Sequence, residues 1–118
     1  RALVTMAAGK VWSNGLDLEW FQANPERVQE ALDQTERLIA AFLGAGVPTV
    51  AAIQGHCFAG GAMLALAHDH LIMREDRGYF CLPEADLGLP VFDTYTLVSW
   101  FHAGLRPRAF TAGPSRAP

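Results

Sequence analysis

Few places in this 118-residue sequence put reactive side chains close enough together to act jointly. His68 and His70 flank Asp69, a spacing that could set two imidazoles on one side of a strand as metal ligands. They fall at a helix-to-strand junction with no third ligand nearby, so we expect no metal there and assign the pair surface or capping roles. The run Gly55-His56-Cys57-Phe58-Ala59-Gly60-Gly61 is glycine-rich and precedes a helical pattern, but it lacks the Lys-Ser/Thr pair that would hold phosphate and magnesium. Ser13, Ser99 and Ser115 lack the glycine flanking of a nucleophile elbow, which argues against serine hydrolysis. Cys57 and Cys81 lie far apart, with neither CxxC spacing nor the density of a disulfide scaffold, and both read as buried thiols in a reducing compartment. Two glycine-bearing loops remain, Trp12–Leu18 and Gln54–Met63, together with one carboxylate, Glu84, that follows Pro83. Glycine lets backbone N–H groups approach a ligand closely. Glu84 is either a turn cap or a proton-transfer group, and pattern alone leaves both open.

The elements that must position these residues follow from periodicity. Ala2 to Met6 is a short apolar run ended by Ala8-Gly9 and predicts a buried strand, and Lys10 to Leu18 predicts a turn-rich loop carrying Ser13-Asn14-Gly15. Asn24-Pro25-Glu26 supplies an N-cap, a proline at the first helical position and an acid in the first turn. Val28, Leu32, Thr35, Ile39 and Phe42 then recur at helical spacing up to Gly44 and Gly46. Val47 to Ile53 shows no polar alternation and predicts a strand covered on both faces. Gly60-Gly61 opens an Ala- and Leu-rich helix to Ala67, Leu71 to Met73 is a strand, and Asp76-Arg77-Gly78 turns into another strand over Tyr79 to Leu82. Strands alternating with helices predict an α/β layered fold. Residues 91–105 are a candidate helix, and residues 106–118, rich in Arg, Pro, Ala and Gly, read as a disordered tail.

With 51% hydrophobic and 18% charged residues, the composition is that of a chain that folds. Twelve acidic residues against nine basic ones, a net charge of −3, give no electrostatic footprint for nucleic acid or an anionic membrane. The apolar runs are interrupted well before the ~18 residues a membrane span needs, and no signal pattern opens the sequence, so a soluble intracellular protein is expected. Because Arg1 leads directly into a strand-like run, the chain is expected to be part of something longer.

The two loops, in order and with a helix between them, resemble the crotonase (enoyl-CoA hydratase/isomerase) superfamily over roughly Ala2 to Pro90. The resemblance implies an α/β fold, a partial crotonase-like (ClpP/crotonase) ββα-repeat core over residues 1–90. It also implies an oxyanion hole in which the backbone N–H groups of Leu16 and Gly60 grip a thioester carbonyl. Ser13, Asn14, Gly15, Asp17, Leu18, Gly61 and Met63 would line the substrate. Met63, Trp12 and Phe58 read as core packing ahead of any catalytic role, the two aromatics also as candidates to line the acyl pocket, and Asp17 as a loop holder. Asn14 and Ala59 stand where the pattern commonly has small residues or glycine.

In this family, hydratases use two glutamates. The place of one holds Met63, whereas Glu84 after Leu82-Pro83 matches the other. A single base suits double-bond isomerisation, and GKVWSNGLDL (Gly9 to Leu18) and REDRGYFCLPEADLGLP (Arg74 to Pro90) are similar to the monofunctional enoyl-CoA delta isomerases of plant peroxisomes. The resemblance therefore implies conversion of 3-enoyl-CoA to 2-trans-enoyl-CoA, with Glu84 as the base in apolar surroundings that raise its pKa. It implies no cofactor beyond the coenzyme A of the acyl-CoA substrate, a homotrimer or hexamer for the full-length form, and a peroxisomal rather than mitochondrial location. A hydratase or other crotonase activity, and an inactive truncated fragment, stand as the alternatives.

Overall fold

The computed structural model describes residues 1–83. Six strands form two three-stranded sheets in which every neighbouring pair is parallel. One sheet holds β1 (Leu3–Met6), β3 (Thr49–Ile53) and β5 (His70–Met73) in the order β1-β3-β5. The other holds β2 (Val11–Ser13), β4 (His56–Phe58) and β6 (Phe80–Cys81) in the order β2-β4-β6. Consecutive strands thus belong to different sheets, and a helical passage leads from each pair to the next, which is a ββα repeat rather than a single layered sheet.

Helix α1 (Leu18–Ala23) starts at Asp17, whose Oδ1 accepts the Trp20 N–H at 3.0 Å, with Glu19 adding an acid in the first turn. A 3₁₀ turn over Pro25–Arg27 leads into α2 (Val28–Leu43). The expected N-cap role of Asn24 is not what the structure shows: its side-chain amide donates to the Trp20 carbonyl at 2.9 Å and closes the end of α1 instead. The same carbonyl also accepts the Asn24 backbone N–H at 2.9 Å, so residue 24 ends α1 through both its backbone and its side chain. Along α2 the apolar repeat faces inward and Ile39 is fully buried. The Gly44 N–H closes the helix on the Ala40 carbonyl at 3.0 Å.

Helix α3 (Gly60–Leu66) is the centre of packing. Ala62 and Ala65 lie against Ala51, Ile53 and Cys57, with Trp12, Leu71, Met73, Phe80 and Leu82 around them. On another side, Met63 and Ala67 join Ile39, with Phe42 and Leu43 of α2 packed against them. The small residues of α3 allow this close approach to both sheets and to α2.

Two expectations about burial are overturned. Strand β1 is not buried: Val4 is 50% and Met6 75% exposed, because among the described residues β1 pairs with β3 alone and nothing covers one face of its sheet. Register puts Val4, Val50 and His70, and likewise Met6, Ala52 and Ile72, on one face of the sheet. Ile72 on that face is 64% exposed. Strand β3 is accordingly fully buried only at alternate residues, Thr49, Ala51 and Ile53.

His68 also departs from a surface role. It is buried, and its Nδ1–H donates to the Leu64 carbonyl at 2.9 Å, capping the end of α3 as expected of a basic residue there. A carbonyl can only accept, so Nε2 is the bare nitrogen and takes the Thr5 hydroxyl at 2.9 Å. The ring lies 4.3 Å from that of Phe42, centroid to centroid. Burial lowers its pKa against smaller opposing contributions from the Leu64 and Ala65 backbone and from Asp69. Asp69 accepts the Thr49 N–H at 2.8 Å, and His70 is exposed on β5. Among the described residues no group of three His, Cys, Asp or Glu could hold a metal, and no helix is long and apolar enough to cross a membrane. Both cysteines are free, Cys57 buried and Cys81 half-buried, and burial pushes the Cys57 thiol up to about 12.

Candidate active site

The segments read as two glycine loops are in fact the ends of two paired strands. β2 and β4 are parallel neighbours, with Val11 beside His56 and Ser13 beside Cys57, so the chain leaves both strands at the same end of the same sheet. Each strand is only three residues long, too short to show a period, which is why sequence reading absorbed both into loops. Their pairing brings residues 13–17 against residues 59–61.

The approach is close enough to exclude side chains. A methyl group placed on Gly15, whose φ is +89°, would lie 2.7 Å from the Gly60 nitrogen and 3.2 Å from the Ala59 methyl. One placed on Gly60 would lie 3.7 Å from the Leu16 nitrogen. One on Gly61 would meet Ser13 at 2.5 Å from Oγ and 2.6 Å from Cβ, so β2 rests directly on the first turn of α3. The backbone nitrogens of Leu16 and Gly60 thereby belong to two stretches that pass each other at van der Waals distance. Neither N–H has an acceptor among the described residues. Two free donors this close can hold one oxygen atom that gains negative charge.

The orientation of each donor has its own cause. The Ser13 Oγ accepts the Gly15 N–H at 3.2 Å, a local turn that bends the first loop. In the second loop, the Ala59 N–H donates to the Cys81 carbonyl at 3.0 Å and the Ala59 carbonyl accepts the Met63 N–H at 3.1 Å. The peptide joining Ala59 to Gly60 is trans, so with its carbonyl turned into α3 its N–H is directed out of the helix toward the first loop. Ala59 adopts φ 52°, ψ −128° to achieve this, a conformation native to glycine.

The Enoyl-CoA hydratase/isomerase family matches residues 1–101. The chain belongs to the enoyl-CoA hydratase/isomerase family. It is 41% identical over 98 residues to enoyl-CoA delta isomerase 3 of Arabidopsis thaliana, covering 80% of this chain and 41% of that protein. It is 39% identical over 100 residues to enoyl-CoA delta isomerase 2, peroxisomal, of the same plant, covering 80% and 42%. Among solved structures, an enoyl-CoA hydratase/isomerase (crotonase) of Legionella pneumophila superposes with a TM-score of 0.75 at 33% identity, over 90% of this chain and 42% of that one. The ββα core is therefore crotonase-like. The chain spans about two fifths of the length of these relatives.

Within this enoyl-CoA hydratase/isomerase core, the remaining candidate residues take distinct places. Asn14 and Leu18 are exposed beside the first loop, and Asp17 is exposed with its carboxylate capping α1. Met63 is 2% exposed and packs with Ile39 and Ala67. Gly61 is buried beneath Ser13, where it sets the spacing between β2 and α3. Trp12 packs into the core, its ring edge-on to His68 at 6.4 Å. Phe58 stacks on His56, which also stacks on Tyr79, at 5.4 and 5.5 Å between centroids. Glu84 lies outside the described residues. Sequence reading missed the clamp on Ala59; its signal was an alanine where the family pattern commonly has glycine.

Proposed function

We propose that the whole protein carrying this chain isomerises 3-enoyl-CoA to 2-trans-enoyl-CoA, as a step in fatty acid β-oxidation. The observation that carries this reading is the adjacency of the Leu16 and Gly60 N–H groups, both without an acceptor among the described residues. They would form an oxyanion hole for the substrate's thioester oxygen. Glu84 removes a proton from carbon 2, the electron pair moves toward the thioester, and the two N–H groups stabilise the enolate oxygen. Return of the proton from Glu84 to carbon 4 shifts the double bond between carbons 2 and 3 and regenerates the carboxylate. The thioester is the electron sink, so the coenzyme A of the substrate is the only cofactor-like group the chemistry calls for.

Isomerisation rather than hydration is favoured by Met63, whose thioether cannot activate a water molecule, and by the likeness to delta isomerases. A peroxisomal location is carried over from the names of two plant relatives, and assembly as a homotrimer or hexamer from the family resemblance. The test is Glu84→Gln in the whole protein. We expect turnover of 3-enoyl-CoA to fall by roughly 10²- to 10⁴-fold while acyl-CoA binding changes little. Unchanged turnover would remove Glu84 from the mechanism.

A further inference from the structure

The first loop offers two successive backbone N–H groups, those of Gly15 and Leu16, at the place where its chain passes Gly60. Only one can share an oxygen with the Gly60 N–H, and the structure shows what separates them. The Ser13 hydroxyl accepts the Gly15 N–H at 3.2 Å and so withdraws it from the open side of the loop. Ser13 cannot drift from this position, because its Cβ, Oγ and carbonyl oxygen all bear on Gly61, where even one added carbon would come within 2.5 to 2.7 Å of them. The same side chain thus touches both halves of the site: it bends the first loop through Gly15 and rests on the first turn of α3. Gly15 completes the geometry with a φ of +89° that brings its Cα against Gly60.

We infer that Ser13 is a positioning residue that selects the Leu16 N–H, rather than that of Gly15, as the partner of Gly60 in gripping the substrate oxygen. Asp17, the residue after Leu16, is anchored separately, its carboxylate accepting the Trp20 N–H at the start of α1. The inference rests on the isomerase reading, since it assigns Ser13 a role only if a thioester oxygen is held between the two loops. It differs from that reading in naming a side chain that touches no reacting atom. Removing the hydroxyl keeps the Cβ and carbonyl contacts on Gly61 but loses the Oγ contact and frees the Gly15 N–H, so the loop can turn either donor outward.

The experiment compares Ser13→Ala and Ser13→Thr with the unmodified whole protein, using a non-isomerisable saturated acyl-CoA as the bound probe. Three quantities are read: the infrared frequency of the bound thioester carbonyl, kcat and KM for 3-enoyl-CoA, and the thermal midpoint. In the unmodified protein the carbonyl band should shift to lower frequency on binding. Ser13→Ala should lose most of that shift and roughly 10- to 100-fold in kcat, with KM within about 2-fold, since a misaligned donor costs less than the 10²- to 10³-fold of a removed one. Ser13→Thr, which keeps the hydroxyl, should recover most of both. Full retention of the shift and of kcat in Ser13→Ala would overturn the inference and leave the isomerase reading standing. Equal losses in Ser13→Ala and Ser13→Thr would also overturn it, because packing rather than the hydroxyl would then be responsible. Absence of any carbonyl shift in the unmodified protein would instead overturn the parent reading of the two loops.

Discussion

The two loops of the site are built by opposite means. The first, after β2, is shaped by side chains: Ser13 accepts from Gly15, Asp17 accepts from Trp20, and glycine supplies the left-handed φ at residue 15. The second, after β4, is shaped by backbone alone, with Ala59 held between a strand bond to Cys81 and a helix bond to Met63. The second loop also carries its strain openly, since Ala59 is the one non-glycine residue with positive φ among those described. A turn made of side-chain bonds can be dismantled by substitution one bond at a time. A turn clamped between sheet and helix tolerates a residue that does not suit it, because its surroundings over-determine it. Local preference therefore matters more in the first loop than in the second.

Replacing Gly15 by alanine should give the largest effect of this contrast. Both the +89° φ and the 2.7 Å approach of the new carbon to the Gly60 nitrogen oppose it. We expect kcat for 3-enoyl-CoA in the whole protein to fall on the order of 10²- to 10³-fold, the scale of losing one oxyanion donor. A fall of less than about 3-fold would mean that the loops do not need this separation.

Ala59→Gly should act in the opposite sense and less strongly. Glycine reaches φ 52°, ψ −128° without the clash that alanine suffers, which is worth about 1 to 3 kcal/mol at a strained position. Part of the gain is offset by the ~0.5 to 1 kcal/mol of extra freedom that glycine has in the unfolded chain. A net stabilisation of about 1 kcal/mol, read from denaturant midpoints, is expected; a loss of stability would show that Ala59 is not strained.

A smaller and pH-dependent effect concerns His68, which ties the support of both loops together through α3 and the edge of Trp12. Its folded-state pKa is lowered from 6.5, chiefly by burial. The unfolded chain therefore takes up a proton first as pH falls. The neutral ring's contribution is present above about 6.5 and is lost progressively below it, as pH drops through the folded value. Thermal midpoints measured from pH 8 to pH 5 should decline on the acid side, and the decline should flatten in His68→Gln. An identical pH dependence in both proteins would relocate the effect to another group.

How far the sequence revealed this arrangement varied with the length of each element. The 16-residue α2 was legible from Pro25 and the recurrence of Val28, Leu32, Ile39 and Phe42, and β3 and β5 from their apolar runs. Strands β2 and β4, three residues each, carry no period, yet their pairing is what brings the two loops together. Asn24 met the composition rule for an N-cap, but its side-chain amide bonded backward to the Trp20 carbonyl and closed the preceding helix. Exposure of Val4, Met6 and Ile72 was illegible because an apolar strand reads the same whether or not anything covers it. The proposal of Leu16 and Gly60 as donors came through the motif rather than through spacing, since a backbone N–H leaves no mark on residue type.

The central claim, a two-loop grip on a thioester served by a single base, is tested most directly by giving the whole protein 3-enoyl-CoA and 2-enoyl-CoA in parallel. Isomerisation is followed by the rise of the conjugated thioester absorbance and hydration by its loss. Isomerisation with negligible hydration is expected, because Met63, which the family resemblance puts in the place of one of the hydratases' two glutamates, carries no carboxylate and packs with Ile39 and Ala67. Hydration at a rate comparable to isomerisation would contradict it, since some other group would then have to supply the second proton transfer.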